Sequence, residues 1–344
     1  MTKKLITILG ITGTQGGSVA ERFLAPSNAS SWRVRGVTRN PASPKAQALT
    51  ARGVEMVKAD HDNLDALRAA FSGSHAIFAV TDWAGNYTRV LESADLQAQA
   101  KAAGRSQEEY AGDLERDQGV NIANAAADPS VLATLEKYVF STLAAVKSIS
   151  AGKYVNSWEF DSKAAAEAHV RENLPELARR LSTVTMGIFQ ETWRDIPAFR
   201  PRRLADGTFE YVRLKAEGDK KANPEVVASR DTGAFVEALV LSHPPGTDVL
   251  GASEIITKPD YAALWGRVMG VTATCRDVDE DEFLRFVPEG FEATLVDDTR
   301  FFSEFGYAGG NPRVKTPAEL GIRTTSLEEW FRSQDWTEVL EGKI

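Results

Sequence analysis

The chain has 344 residues, 43% of them hydrophobic, long for one domain and short for two full ones, so a principal domain with a smaller appended lobe fits. A formal net charge of −8, with no basic run interleaved with aromatics, argues against direct nucleic-acid binding. The single cysteine, Cys275, excludes an intramolecular disulfide, and the four scattered histidines (His61, His75, His169, His243) have no metal-ligand spacing, so a reducing compartment and no metal are expected.

The first predicted strand, residues 5–9, ends at Gly10, and a helix-period pattern (Val19, Phe23, Leu24) begins just after Gly17. Gly10, Gly13 and Gly16 are spaced G-x-x-G-x-x-G, not the commoner G-x-G-x-x-G. Glycines at a strand-to-helix turn let the backbone approach a pyrophosphate, and the helix N-terminus offers free N–H groups and a positive dipole end. This layout predicts a dinucleotide-binding turn. A branched side chain at Gly13 would block the pyrophosphate and strain any φ > 0 conformation there. Residues 32–41 read as the second strand, closed by a Pro-containing turn. An NAD site would place Asp or Glu near its end, whereas Thr38 and Arg39 stand there. A carboxylate repels a 2′-phosphate and a guanidinium binds it bidentately, so the reading is NADP(H). The alternative for Arg39 is a solvated surface side chain.

Further along, 43–53 reads as a helix, 54–60 as a short strand, 64–71 as a helix capped by Asp62-Asn63, and 75–82 as a buried strand. This β-α alternation implies a parallel sheet with right-handed crossovers. Residues 83–112, rich in Ala, Gln and charge, break the rhythm and read as a partly helical, mobile insertion near the cofactor mouth. A helix (114–127), a strand (135–142), a helix (160–173) and a strand (182–189) follow. Beyond Pro197 the texture changes: 208–214 alternates as an antiparallel strand would, 231–241 reads as a helix, 249–256 as a strand, 259–268 as a helix, 276–305 as an acidic, aromatic helical region, and 327–331 as a terminal helix. The fold class expected is α/β: a Rossmann-type doubly wound parallel sheet over 1–190, joined by a strand near 249–256, and a smaller α+β C-terminal substrate or partner lobe over 191–344 interleaved with it. No stretch approaches the roughly 18 apolar residues of a membrane span.

Together these residues resemble the NmrA-like family, an atypical short-chain dehydrogenase/reductase group that mixes reductases with non-catalytic NADP(H) sensors. The resemblance is carried by Gly10-Ile11-Thr12-Gly13-Thr14-Gln15-Gly16, which matches a G-x-T-G-x-Q-G loop, by Thr38-Arg39, Lys58-Ala59-Asp60 and Val80-Thr81-Asp82, and by Phe160-Asp161-Ser162-Lys163 with Glu167. It implies that the glycine loop, with Thr12 and Gln15, holds the pyrophosphate and Arg39 the 2′-phosphate. It further implies Asp60-His61 against the adenine, Thr81 near the ribose or nicotinamide, Lys163 on the nicotinamide ribose, and Gly187–Phe189 flanking the nicotinamide.

A typical short-chain dehydrogenase donates its proton from a Tyr four residues before the Lys, while a Ser polarises the carbonyl. Four before Lys163 stands Glu159; Ser141 and Thr142 occupy the strand end where the serine is expected. The string Tyr211 to Lys215 falls in the alternating strand of the appended lobe and reads as coincidence. The candidates for acid–base work are therefore Lys163, Glu159, Ser141 and Tyr154, the last a phenol just upstream. Trp83, Phe189, Trp193, Phe199 and Tyr261 are candidate walls for a substrate. Three readings stay open: an NADPH-dependent oxidoreductase on a small apolar carbonyl, imine or activated alkene; a non-catalytic NADP(H)-sensing regulator with a protein partner; and a redox-neutral acid–base catalyst. A cytoplasmic location, with the nucleus as the second, is expected.

Overall fold

The computed structural model describes residues 2–218 and 222–344. Its strands are β1 (Lys4–Ile8), β2 (Trp32–Thr38), β3 (Glu55–Lys58), β4 (Ala76–Ala79), β5 (Lys137–Thr142), β6 (Leu181–Met186), β7 (Ile188–Phe189), β8 (Arg202–Arg203), β9 (Phe209–Leu214), β10 (Asn223–Val226), β11 (Asp248–Gly251), β12 (Glu254–Ile256), β13 (Ala273–Val278) and β14 (Val314–Lys315). An 8-stranded sheet has the order β14-β11-β6-β5-β4-β1-β2-β3, and every neighbouring pair in it is parallel. The order reverses between β1 and β4, which opens a crevice at their carboxyl ends, the usual ligand position of a doubly wound sheet.

Alternation along the strands feeds two cores. Ile6, Ile8, Phe78 and Val139 pack with Val19, Phe23, Phe235 and Leu239 of the helices Thr14–Leu24 and Ala228–Leu241. Ile77, Ala79, Tyr138 and Phe140 pack on the opposite face with Phe71, Ile122 and Val170 of the helices Leu64–Phe71, Gln107–Ala126 and Trp158–Asn173. Successive side chains of a strand point to opposite faces, so a strand covered on both sides is apolar throughout. All four residues of β4 are buried accordingly.

Two small sheets, β12-β10-β7 and β13-β9-β8, adjoin this core. β9 runs antiparallel to β8, as its alternation suggests, but parallel to β13, whose last three residues fall in the region 276–305 expected to be helical. The stretch 249–256 is two strands in two different sheets, β11 and β12. The segment 83–112 is not a loose insertion. Helices Trp83–Glu92 and Ala94–Ala102 and the start of Gln107–Ala126 fill it, capped by Asp82, Ser93 and Ser106. Trp83 stacks on Tyr87 with ring centroids 5.3 Å apart and meets Phe291 edge-on at 5.4 Å, and this ring cluster ties the segment to the C-terminal region.

Helices Thr14–Leu24 and Ala228–Leu241 approach closely because Gly233 faces Ser18: the Gly233 N–H donates to Ser18 Oγ at 2.9 Å, and a β-carbon there would collide with the Ser18 carbonyl. Gly233→Val is therefore expected to lower folding stability by about 1–3 kcal/mol, the usual cost of overpacking. Urea denaturation checks this, and an unchanged midpoint at unchanged slope contradicts it.

Candidate functional site

The turn after β1 divides its labour among three glycines. Gly10 has φ +61°, the left-handed region that favours glycine, and its carbonyl accepts from the Gly13 N–H at 2.9 Å. Gly13 itself has φ −95°, so the strain argument for a branched residue there belongs to Gly10 instead; what remains at Gly13 is space, with a β-carbon lying 3.2 Å from the Gly10 carbonyl. Gly16 has no room at all, since a β-carbon would overlap the carbonyl carbon and oxygen of Gly10. Helix Thr14–Leu24 starts with no side-chain cap and no acidic residue in its first turn, which leaves its leading N–H groups and dipole to an anion. Thr12 and Gln15 flank the same turn.

Arg39, exposed and just past β2, makes no hydrogen bond or ion pair among the described residues. Thr38 Oγ1 accepts from the Asn40 N–H, and Asp60 and His61 follow β3. Burial pushes the His61 imidazole below its ordinary value; Asp60 opposes this and Arg39 adds to it. Thr81, past β4, is buried with an unpartnered hydroxyl. A glycine cradle, an uncapped helix N-terminus, an unengaged guanidinium and an orphan hydroxyl fit a phosphorylated dinucleotide.

Beside this edge lies a cavity of about 430 Å³. Gln15, Ser141, Lys163, Gly187 and Phe189 line it from the main-sheet side, and Phe199, Phe283, Phe291, Phe302 and Tyr307 from the C-terminal region. Ser141 Oγ donates to Gln15 Oε1 at 2.9 Å. Lys163 Nζ lies 2.6 Å from Glu115 Oε1 and 3.3 Å from Glu159 Oε1, with the Lys163 and Glu115 side chains 5% and 0% exposed. Burial works to lower Lys163, but Glu115 and Glu159 outweigh it and hold the ammonium above its ordinary value. Ser162 Oγ donates to the other oxygen of Glu115. Glu115 was missed in the sequence because it sits in a run of charges. The signal that marks it is its phase: Ala111, Glu115, Gln118, Gly119 and Ile122 share the buried face of one helix.

Gly187 holds a backbone junction, donating to the Gly251 carbonyl at 2.9 Å, and a β-carbon there would strike the Pro224 carbonyl. Trp83, Phe189 and Phe199 do line the cavity. Trp193 does not: it stacks on Trp336 with centroids 4.1 Å apart. Tyr261 does not either, since it donates to Gln190 Oε1 at 2.8 Å inside the same aromatic core.

Tyr154 requires a correction. Its hydroxyl donates to Glu304 Oε2 at 2.8 Å and its ring packs edge-on against Phe301 and Phe305, so the phenol is held by the helix Glu292–Phe305 and does not line the cavity. Tyr211 is fully buried against Tyr261 and Trp265, a packing role. The cavity instead receives groups not singled out in the sequence. Tyr307 donates to the Met186 carbonyl at 2.7 Å. Asp298 is 6% exposed. Glu225 accepts from Gln190 Nε2 at 2.6 Å.

Fold and site together define a Rossmann-type dinucleotide-binding architecture with an apolar cavity at the carboxyl edge of the sheet. The chain belongs to the NmrA-like family, whose model matches residues 2–331. It is 27% identical over 346 residues to the NmrA-like family domain-containing oxidoreductase hkm9 of Aspergillus hancockii, covering 94% of this chain and 91% of that protein. It is 26% identical over 367 residues to the oxidoreductase lnbB of Aspergillus flavus, covering 96% and 98%. Among solved structures, the fold is similar to that of NmrA, a negative transcriptional regulator, in complex with NADP: TM-score 0.69, 19% identity, covering 100% of this chain and 99% of that one. Among the described residues no helix is long and apolar enough to cross a membrane.

Glu225 supplies a pH test of the cavity's electrostatics. Burial pushes its carboxyl up to about 7, against the opposing pull of Lys258 and Gln190. A raised folded-state value means stability that is full below the unfolded value, near 4.5, and lost as pH rises through 7. Relative to Glu225→Gln, the ligand-free parent should lose about 3 kcal/mol of unfolding free energy across that window. Parallel pH profiles from denaturant titrations would show that Glu225 ionises normally.

Proposed function

We propose that this chain is an NADP(H)-binding oxidoreductase that reduces a small, largely apolar organic molecule carrying a carbonyl, imine or activated alkene. The observation that carries the reading is the aromatic-walled cavity meeting Gln15, Ser141 and Lys163 beside the glycine turn. The full-length relatives named as oxidoreductases support it. The bound cofactor would supply a hydride from its reduced nicotinamide. In this reading Gly10, Gly13 and Gly16, with Thr12 and Gln15, seat the pyrophosphate, Arg39 and Thr38 the 2′-phosphate, and Asp60-His61 the adenine. Thr81 faces the ribose or nicotinamide side, Gly187 and Phe189 flank the nicotinamide, and Lys163 hydrogen-bonds its ribose. Ser141 orients a substrate acceptor, and Glu159 tunes Lys163. A reducing cytoplasmic setting agrees with the single cysteine.

One observation favours the second reading, a non-catalytic NADP(H)-responsive regulator acting through a protein partner. The position four before Lys163 holds Glu159, and Lys163 is neutralised by Glu115. Turnover decides between the two.

Arg39→Ala should weaken NADPH binding about tenfold to a hundredfold and leave NADH binding nearly unchanged, because a charge-assisted contact to one phosphate is lost. Equal losses in a fluorescence titration would refute the 2′-phosphate assignment. Removing Lys163 alone strands Glu115 as a buried, unpaired carboxylate, which destabilises the protein. The double variant Lys163→Met with Glu115→Gln keeps the pair neutral. On a neutral carbonyl or imine, whose reduction consumes a proton, it should lose about 100- to 10,000-fold in turnover with a far smaller loss in NADPH affinity, since a proton-handling group acts chiefly in the transition state. Parent-like turnover would remove Lys163 from the chemistry. Silence of the parent on ketones, imines and enones, with tight NADPH binding, would move the regulator reading first.

A further inference from the structure

Among the described residues, the charges that line the cavity do not balance. Arg213 is matched by Asp277, Lys258 acts on Glu225, and Asp82 caps the helix Trp83–Glu92. Among the described residues that leaves Glu159 and Asp298 on the cavity wall with Lys163, whose charge Glu115 already matches at 2.6 Å. Asp298, on the helix Glu292–Phe305, is 6% exposed, makes no ion pair among the described residues, and has a buried oxygen without a hydrogen-bond partner. A buried carboxyl with no cation is costly unless something else compensates it. Burial holds it well above the ordinary carboxyl range; Ser157, beside it, opposes that, while Glu159, Asp297 and Asp161 add to it.

The hydroxyls are spoken for. Tyr307 donates to the Met186 carbonyl and Ser141 to Gln15. The rings are not: Phe160, Phe302 and Tyr307 form a cluster with centroids 4.6–5.7 Å apart along the cavity, and Trp83 and Phe291 line it as well. Carboxylates set among aromatic faces attract organic cations, and such rings favour a cation over its neutral isostere.

We infer that the cavity takes an organic cation, an aromatic or cyclic iminium, held by Glu159, Asp298 and the Phe160–Phe302–Tyr307 rings. The inference rests on the oxidoreductase reading and gives it a substrate class. It also accounts for the absent phenol. With an iminium acceptor, hydride from the reduced nicotinamide forms a C–H bond at the C=N carbon, and the π pair becomes the nitrogen lone pair. The nicotinamide is oxidised, the product is a neutral amine, and the transfer consumes no proton. The side chains then need only hold and orient the cation.

The first test is binding, on the protein saturated with NADP⁺ so that nothing reacts. N-methylquinolinium and neutral quinoline are titrated by calorimetry at about pH 8, where quinoline is uncharged. The cation should bind about tenfold or more tightly. Asp298→Asn and Glu159→Gln should each cut that advantage severalfold and leave quinoline unaffected. If a variant does not fold, the parent's comparison of the two ligands still decides. Equal or tighter quinoline binding, or an advantage intact in both folded variants, overturns the inference. The second test follows NADPH oxidation with an N-methyl-dihydroisoquinolinium. Cation-selective binding without turnover upholds the ligand class and overturns the oxidoreductase reading. Reduction of neutral ketones in preference, lost in Asp298→Asn, overturns the inference and makes Asp298 a proton donor.

Discussion

The buried contact between Lys163 and Glu115 is the constraint from which the site follows. An ammonium and a carboxylate this deeply buried are tolerable only when each satisfies the other, and removing one partner is far worse than never having placed the pair. Helices Gln107–Ala126 and Trp158–Asn173 must therefore lie close enough for a 2.6 Å contact, and small residues permit it. Gly112 sits under Trp158 and Gly119 under Ala166, where β-carbons would collide or crowd. Ser162 adds a second bond to Glu115, so the carboxylate is fixed by two donors one residue apart on the same helix. Lys163 is thereby set beside Ser141 and Gln15 along one cavity.

The same economy of space governs the other half of the site. The turn after β1 needs Gly10 for its positive φ and Gly16 because the helix backbone presses on the Gly10 carbonyl. That closeness aims an uncapped helix N-terminus at the crevice between β1 and β4. Cofactor cradle and cavity thus sit at one edge of one sheet. β6 ends at Met186, and through Gly187 the chain passes into a second sheet at β7 and carries Ile188 and Phe189 into the cavity wall.

Much of this was legible in the sequence because it is local. The glycine turn, the apolar strand β4, Arg39 after β2 and the helix bearing Lys163 each declare themselves within a few residues. What was hidden depends on residues far apart in the chain. Nothing within ten residues of Tyr154 reveals that Glu304 will take its hydroxyl, or that Tyr307 will reach the carbonyl of Met186. Asp298 lies in a stretch whose acidity suggests solvent, yet its helix packs that carboxyl against the cavity. Two-residue strands such as β14 carry too little pattern to be read at all. Trp193 and Tyr261 failed as wall residues for the complementary reason: a lone aromatic does not say whether a cavity or a core awaits it.

Glu115 and Glu159 change the meaning of the lysine together. In a Tyr–Lys arrangement the lysine's charge is spent on the phenol, which it makes more acidic. Here that charge is compensated by a carboxylate at 2.6 Å, and a second carboxylate, at 3.3 Å, occupies the position the phenol would take. Placing a tyrosine at 159 would not by itself give an acidic phenol, because Glu115 would still absorb the ammonium's field. The site is organised around stabilising positive charge rather than releasing a proton. Glu159 and Asp298 with a wall of rings, on a cavity whose lysine is already matched by Glu115, favour a cationic occupant over a neutral one. The absence of a tyrosine at 159 and the presence of Glu115 are thus one electrostatic arrangement, in which the side chains compensate charge on the acceptor instead of delivering a proton to it.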